Sequence, residues 1–170
     1  MNTRTIAFHK AIFVAALLLL MGCSGTVPPS FQHSFNNRPT PWTHNRFDNV
    51  EDKFTFAIFS DLNGGEREKV FEIAVAQLSL LRPELILSVG DLINGGTENR
   101  ETLRQEWGSF DERASQAMAP VFYVGGNHDL TNQTMRDVWT ERYGARYYHF
   151  VYRNVLFLAR STVGRLVQSY

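Results

Sequence analysis

At 170 residues, 44% apolar and 20% charged, the chain is long enough for one globular domain and has no disordered or collagen-like bias. Its 17 basic and 17 acidic residues cancel, so no net field draws it to a polyanion, and no nucleic-acid partner is expected. The single cysteine, Cys23, excludes an internal disulfide, a redox pair and a cysteine zinc cluster.

Residues 1–22 carry Arg4 and Lys10, then an apolar stretch from Ala11 to Met21 too short to span a bilayer, then the small Gly22, which is the make-up of a signal peptide. The run Leu20-Met21-Gly22-Cys23 resembles a bacterial lipoprotein box. That resemblance implies export, a lipid on Cys23 and, with Ser24 following, anchoring of the chain to the outer membrane of the cell envelope, facing the periplasm. An ordinary cleaved signal with an incidental cysteine is the alternative. Residues 23–52 then read as the lipid-attachment cysteine and a flexible tether, because Thr26 to Asn49 is rich in Pro, Asn, Ser and Thr and lacks periodicity. Within it, His33 and His44 read as solvated, and Trp42 and Phe47 are candidates to pack onto the domain.

Residues 53–170 hold the domain. Phe54 to Asp61 reads as a buried strand, and Glu66 to Leu81 as a helix with Val70, Ile73, Ala74, Gln77, Leu78 and Leu81 on its apolar face. Glu84 to Asp91 is a second strand. Thr97 to Ala117 is a helix burying Leu103, Trp107, Phe110 and Ala114. "PVFYVGGNHD" is a third strand with its loop, Thr131 to Tyr143 a third helix, and "YYHFVY" and "VLFLA" two further strands, antiparallel to each other. Three strand–helix units in series predict a parallel sheet covered on both faces.

Ligands of such sheets bind beyond the carboxyl ends of the strands. Here the three strands end in Ser60-Asp61, Gly90-Asp91 and Gly126-Asn127-His128-Asp129. One acidic strand end alone reads as a helix cap. Three at one edge gather carboxylates, an amide oxygen and an imidazole, where like charges repel unless a cation offsets them, so a divalent metal site is expected.

In that order, Asp61-Leu62-Asn63, Gly90-Asp91-Leu92-Ile93-Asn94 and Gly126-Asn127-His128-Asp129 resemble the first three motifs of the calcineurin-like metallophosphoesterases, over Phe54 to Leu158. The resemblance implies an α/β fold, a layered β-sandwich flanked by helices, that hydrolyses phosphomonoesters or phosphodiesters with two divalent metal ions: Mn, Fe, Zn or Mg. It implies that Asp61 binds the first metal, with Asn63 a weaker ligand beside it, that Asp91 bridges both, and that Asn127 binds the second. His128 would face the phosphate, stabilising its charge or protonating the leaving oxygen, with Asp129 orienting the ring. Two cations about 3.5–4 Å apart would clamp the phosphoryl oxygens and lower the pKa of a water between them. Asn94 is a candidate to shape the pocket.

Two departures stand out. Asn63 occupies the place of a usual histidine, and the downstream Gly-His-x-His pair does not occur before Tyr170. His149 reads as an edge-strand side chain. The resemblance therefore implies a domain incomplete at the C-terminus, with residues beyond about Arg160 foreign to the fold, a frameshift being one route, and a weakly active or inactive chain. The other readings are a non-catalytic metal- or phosphate-binding envelope lipoprotein, and a scaffold whose acidic strand ends only cap helices.

Overall fold

The computed structural model describes residues 30–36, 39–48, 54–63, 67–161 and 163. The expected signal peptide and the lipid-bearing Cys23 lie outside the described residues, as do 64–66 at the expected start of the first helix, and 164–170. The elements in chain order are β1 (Phe31–His33), β2 (Phe56–Phe59), α1 (Val70–Leu81), β3 (Leu85–Ser88), α2 (Arg100–Ala114), β4 (Val121–Phe122), α3 (Asn127–Leu130), α4 (Gln133–Tyr143), β5 (Tyr147–Tyr152) and β6 (Val155–Arg160). Among the described residues no helix is long and apolar enough to cross a membrane.

Strands β2, β3 and β4 form a parallel sheet in that order, with Phe56 opposite Leu85 and Ile86 opposite Val121. The period-two alternation of a strand splits this apolar sequence between two cores. Ile86 and Val121 join Leu103, Trp107, Phe110, Met135 and Trp139 of the helices. Leu85 and Phe122 turn the other way, onto the antiparallel sheet β1-β5-β6. There Phe150 stacks on Phe122 at 4.2 Å and on Phe157 at 4.7 Å. Helices thus cover one face of the parallel sheet and a second sheet covers the other, the layered α/β sandwich expected.

Helix α2 buries the stripe read from its sequence, Leu103, Trp107, Phe110 and Ala114, and starts at Asn99, whose side chain accepts from the N–H groups of Glu101 and Thr102. Helix α1 does not follow its expected face. It buries Phe71 and Val75, while Val70, Leu81 and Ile73 (58% exposed) face outward. The sequence "VFEIAVAQLSLL" is apolar nearly all round, so two stripes compete. The one carrying the Phe71 ring wins because that ring packs against Phe59 at 5.4 Å and stacks on Phe110 at 6.0 Å.

The segment expected as a tether is also different over its described part. Phe31 to His33 pair with Phe150 to Tyr152 of β5, and Trp42 is only 5% exposed and bridges to Phe122. Strand β4 has one strand neighbour, so its outer edge needs other partners. Residues 41–43 supply them: Thr43 N donates to Val121 O (3.1 Å), Tyr123 N to Pro41 O (2.8 Å), and Val121 N to Thr43 Oγ1 (3.0 Å). The aromatic contacts Phe31–Trp42 and Phe47–Tyr152 hold this arm down without any sequence periodicity to announce it.

Candidate active site

The carboxyl ends of the parallel strands are stitched together before any side chain is considered. Val89 N donates to Phe59 O (3.0 Å), Asp61 N to Gly90 O (3.2 Å) and Leu62 N to Asp91 O (2.9 Å). Ser60 Oγ donates to Gly90 O, and Val124 N donates to Ser88 Oγ, so all three ends are tied. Asp61 and Asp91 both sit at φ 58°, a left-handed conformation costing a non-glycine residue about 1–2 kcal/mol. Such strain persists only where the surroundings enforce it, and it concentrates at functional sites. Gly90, at φ 111°, is required twice over, because a Cβ there would lie 2.7 Å from Gly126 Cα. A Cβ on Gly126 would in turn lie 2.2 Å from Asp91 Oδ1. The third strand end is therefore pressed directly onto the second.

Helix α3 follows, and Asp129 is the buried carboxylate at its heart. Oδ2 accepts from Gly126 N and Asp91 N (both 2.8 Å), and Oδ1 from Leu92 N (2.9 Å) and Ile93 N (3.2 Å). Burial raises its pKa to about 6, against the pull of these four amide N–H groups. This corrects the expectation that Asp129 orients the His128 ring. A carboxylate offers about four lone-pair sites, and four backbone donors take them. His128 is instead held by other groups: its N–H donates to Asp91 Oδ1 (2.9 Å), and its Nδ1 lies 3.0 Å from Asn94 O. A carbonyl only accepts, so Nδ1 carries a proton there and Nε2 is left as the nitrogen that takes or gives one.

Asn63 lies against the same loop, its Nδ2 donating to Ile93 O at 3.3 Å. Asp61 and Asn127 are exposed, and Asp91 is half-buried. Among the described residues no three His, Cys, Asp or Glu side chains gather to hold a metal. What the edge offers is two carboxylates, Asp61 and Asp91, and the amides of Asn63 and Asn127. His149 lies on β5, away from this edge.

A family model for calcineurin-like phosphoesterases matches residues 54–166, from the approach to β2 to beyond β6. The chain belongs to the calcineurin-like phosphoesterase family. No curated protein and no solved structure matches it. Membership makes it, at family level, a metal-dependent hydrolase with a phosphoester substrate. The donor chemistry of the edge fits the metals of a calcineurin-like phosphoesterase: carboxylate and amide oxygens are ligands for hard divalent cations.

Ser88 and Glu106 contribute to this phosphoesterase edge and were not singled out from sequence, whereas Asn94 was, for the pocket. Ser88, fully buried, ties β3 to the β4 loop; its signal was being the one polar residue inside "LILSVG". The Asn94 backbone carbonyl, rather than its amide, touches His128, and Glu106 accepts from Gly95 N at 3.0 Å; neither leaves a mark in the sequence pattern. A cavity of about 540 Å3 opens at the opposite, amino ends of the strands among Arg46, Leu78, Arg82 and Ala117. Its acid, Asp48, is paired with Arg82 at 2.5 Å, and none of Asp61, Asn63, Asp91, Asn127 and His128 lines it.

Proposed function

We propose that this chain is a phosphomonoesterase or phosphodiesterase domain working through a dinuclear metal centre. The observation that supports it most is the meeting of Asp61, Asp91 and Asn127-His128 at one edge of a parallel sheet in a member of this family. Asp61 and Asn63 would hold the first cation, Asp91 would bridge, and Asn127 would hold the second. The cations supply positive charge to the phosphoryl oxygens and acidify a water. The chain's own groups do the rest. Asp91, with Oδ1 engaged by His128 N–H, would offer its other oxygen to the cations. The Asn94 carbonyl fixes the His128 ring so that Nε2 can donate a proton to the leaving oxygen. Asp129 keeps the loops of Asp91 and His128 in register.

Among the described residues no three His, Cys, Asp or Glu side chains gather, so turnover by these ligands alone would be slow. Cys23 would carry a lipid that anchors the domain to the envelope. The second reading, a non-catalytic metal- or phosphate-binding lipoprotein, draws on the single imidazole at this edge among the described residues.

Hydrolysis of an aryl phosphate and a bis-aryl phosphate with Mn2+ tests the reading. A slow, Mn-dependent rate that His128→Ala lowers by roughly 10²–10⁴-fold is expected. Bound Mn2+ without turnover would favour the non-catalytic reading, and no bound metal would overturn the phosphoesterase reading. For the anchor, a fatty-acid label should mark the wild type and not Cys23→Ser; equal labelling of both would refute it.

A further inference from the structure

We propose that the outer face of the antiparallel sheet β1-β5-β6 docks on a bilayer surface rich in anionic phospholipid, independently of the metal centre and of any lipid on Cys23. Alternate residues of a strand share a face. Tyr148, Phe150 and Tyr152 of β5 turn inward to the aromatic core. Tyr147, His149 and Val151 turn outward, opposite Arg160, Leu158 and Leu156 of β6. Gln32 of β1 continues the row beside Val151. Val151 is half-buried and the other outward residues are exposed. The strand ends carrying Asp61 and Asp91 belong to the other sheet and take no part in this face.

The zero net charge of the chain conceals a segregation that identifies what this face meets. All 17 acids lie between Asp48 and Glu141. Residues 1–47 and 142–170, which include every strand of this sheet, hold nine arginines and lysines and no acid. Arg153 is engaged by the buried Glu84 at 2.9 Å. Arg160, exposed at the end of the outward row, and Arg146, half-buried just before β5, remain as the cations beside the face. Leucine and tyrosine edged by arginine and free of carboxylates suit an anionic bilayer: the apolar groups enter the headgroup layer, and each arginine gains from the negative surface potential. The exposed apolar face of α1 is the contrast, since Val70 and Ile73 alternate in sequence with Glu68 and Glu72, carboxylates that such a surface repels. Chain order agrees with the assignment. Cys23 stands eight residues before Phe31 of β1, so a bilayer engaged there lies within roughly 29 Å of this sheet.

The test uses the full chain with Cys23→Ser, which removes the lipid, and His149→Cys carrying an environment-sensitive fluorophore at the middle of the face. With vesicles of phosphatidylcholine and phosphatidylglycerol the emission should shift to the blue and be quenched by brominated acyl chains. Phosphatidylcholine alone should need at least about tenfold more lipid for the same shift, and Arg160→Gln about fivefold more. The pair Leu156→Asp, Leu158→Asp should abolish the shift, and the same fluorophore on Ile73→Cys should stay in water. A fluorophore at position 149 that stays in water on phosphatidylglycerol vesicles, or that responds equally to phosphatidylcholine alone, would overturn the proposal and leave the proposed function standing. A blue shift without vesicles would also overturn it, a second copy covering the face if the shift grows with protein concentration and the chain itself covering it if not.

Discussion

Asp91, after β3, is half-buried and accepts from His128 N–H, whereas Asp129, in α3, is buried under four amides. Asp91→Ala should lower Mn2+ affinity more than any other single change at the edge, because a bridging carboxylate serves both cations, and His128→Ala should leave bound metal intact. Equal metal loss in the two variants would contradict those roles. Asp129→Ala strands the N–H groups of Asp91, Leu92, Ile93 and Gly126. Unsatisfied buried donors cost about 1–3 kcal/mol each before relaxation, so a loss of at least about 3 kcal/mol in urea unfolding is expected. A loss under about 1 kcal/mol would show that the loop closes without it. The acids and amides of the strand ends could be read from the sequence because each follows an apolar run. The partner of Asp129 could not, since the choice between one imidazole and four amides depends on the left-handed turn at Asp91.

Helices α1 and α2 show when a buried face is legible. In α2, charged and polar residues and Gly108 fill every position except one stripe, and that stripe is buried. In α1 apolar residues surround the axis, and only the ring contacts of Phe71 decide. Phe71→Ala should therefore cost about 3–5 kcal/mol and Ile73→Ala under about 0.5 kcal/mol. Comparable losses would mean that the expected face was the buried one. In the arm of residues 30–36 and 39–48 the packing of Trp42 and Phe47 was expected and is found, while its pairing was not legible because it satisfies the edge of β4 without any repeat. Within it His44 has its pKa lowered, first by burial, with the Ala117 carbonyl opposing and Arg46 assisting. The unfolded chain, at the ordinary value of about 6.5, thus binds this proton before the folded one does. Stability from His44 is whole above that pH and falls as pH drops through it toward the lower folded value. The melting temperature of His44→Gln should show a shallower fall below about pH 6.5 than the wild type; parallel profiles would assign the effect elsewhere.

Across the whole molecule, the parallel sheet followed from three strand–helix units and the layered sandwich from the family resemblance, and the structure has both sheets. Its outer surfaces were less predictable, because an apolar strand residue does not reveal whether a neighbour covers it. Among the described residues β2 and β6 are each paired on one side only, leaving Phe56, Ile58, Leu156 and Leu158 (76% exposed) in contact with water. Such edges promote association. The double variant Ile58→Lys, Leu158→Lys should sediment as a smaller species than the wild type, with its stability within about 1 kcal/mol. A large destabilisation would mean that those side chains are buried in solution.

The proposal that Asp61, Asn63, Asp91 and Asn127 together hold a two-cation centre is tested most directly by anomalous scattering from crystals grown with Mn2+. The account predicts a manganese peak with oxygens of Asp61 and Asp91 within about 2.6 Å, and no such peak in Asp91→Ala crystals. Manganese held elsewhere on the chain, or an edge left without metal while both aspartates point apart, would contradict it.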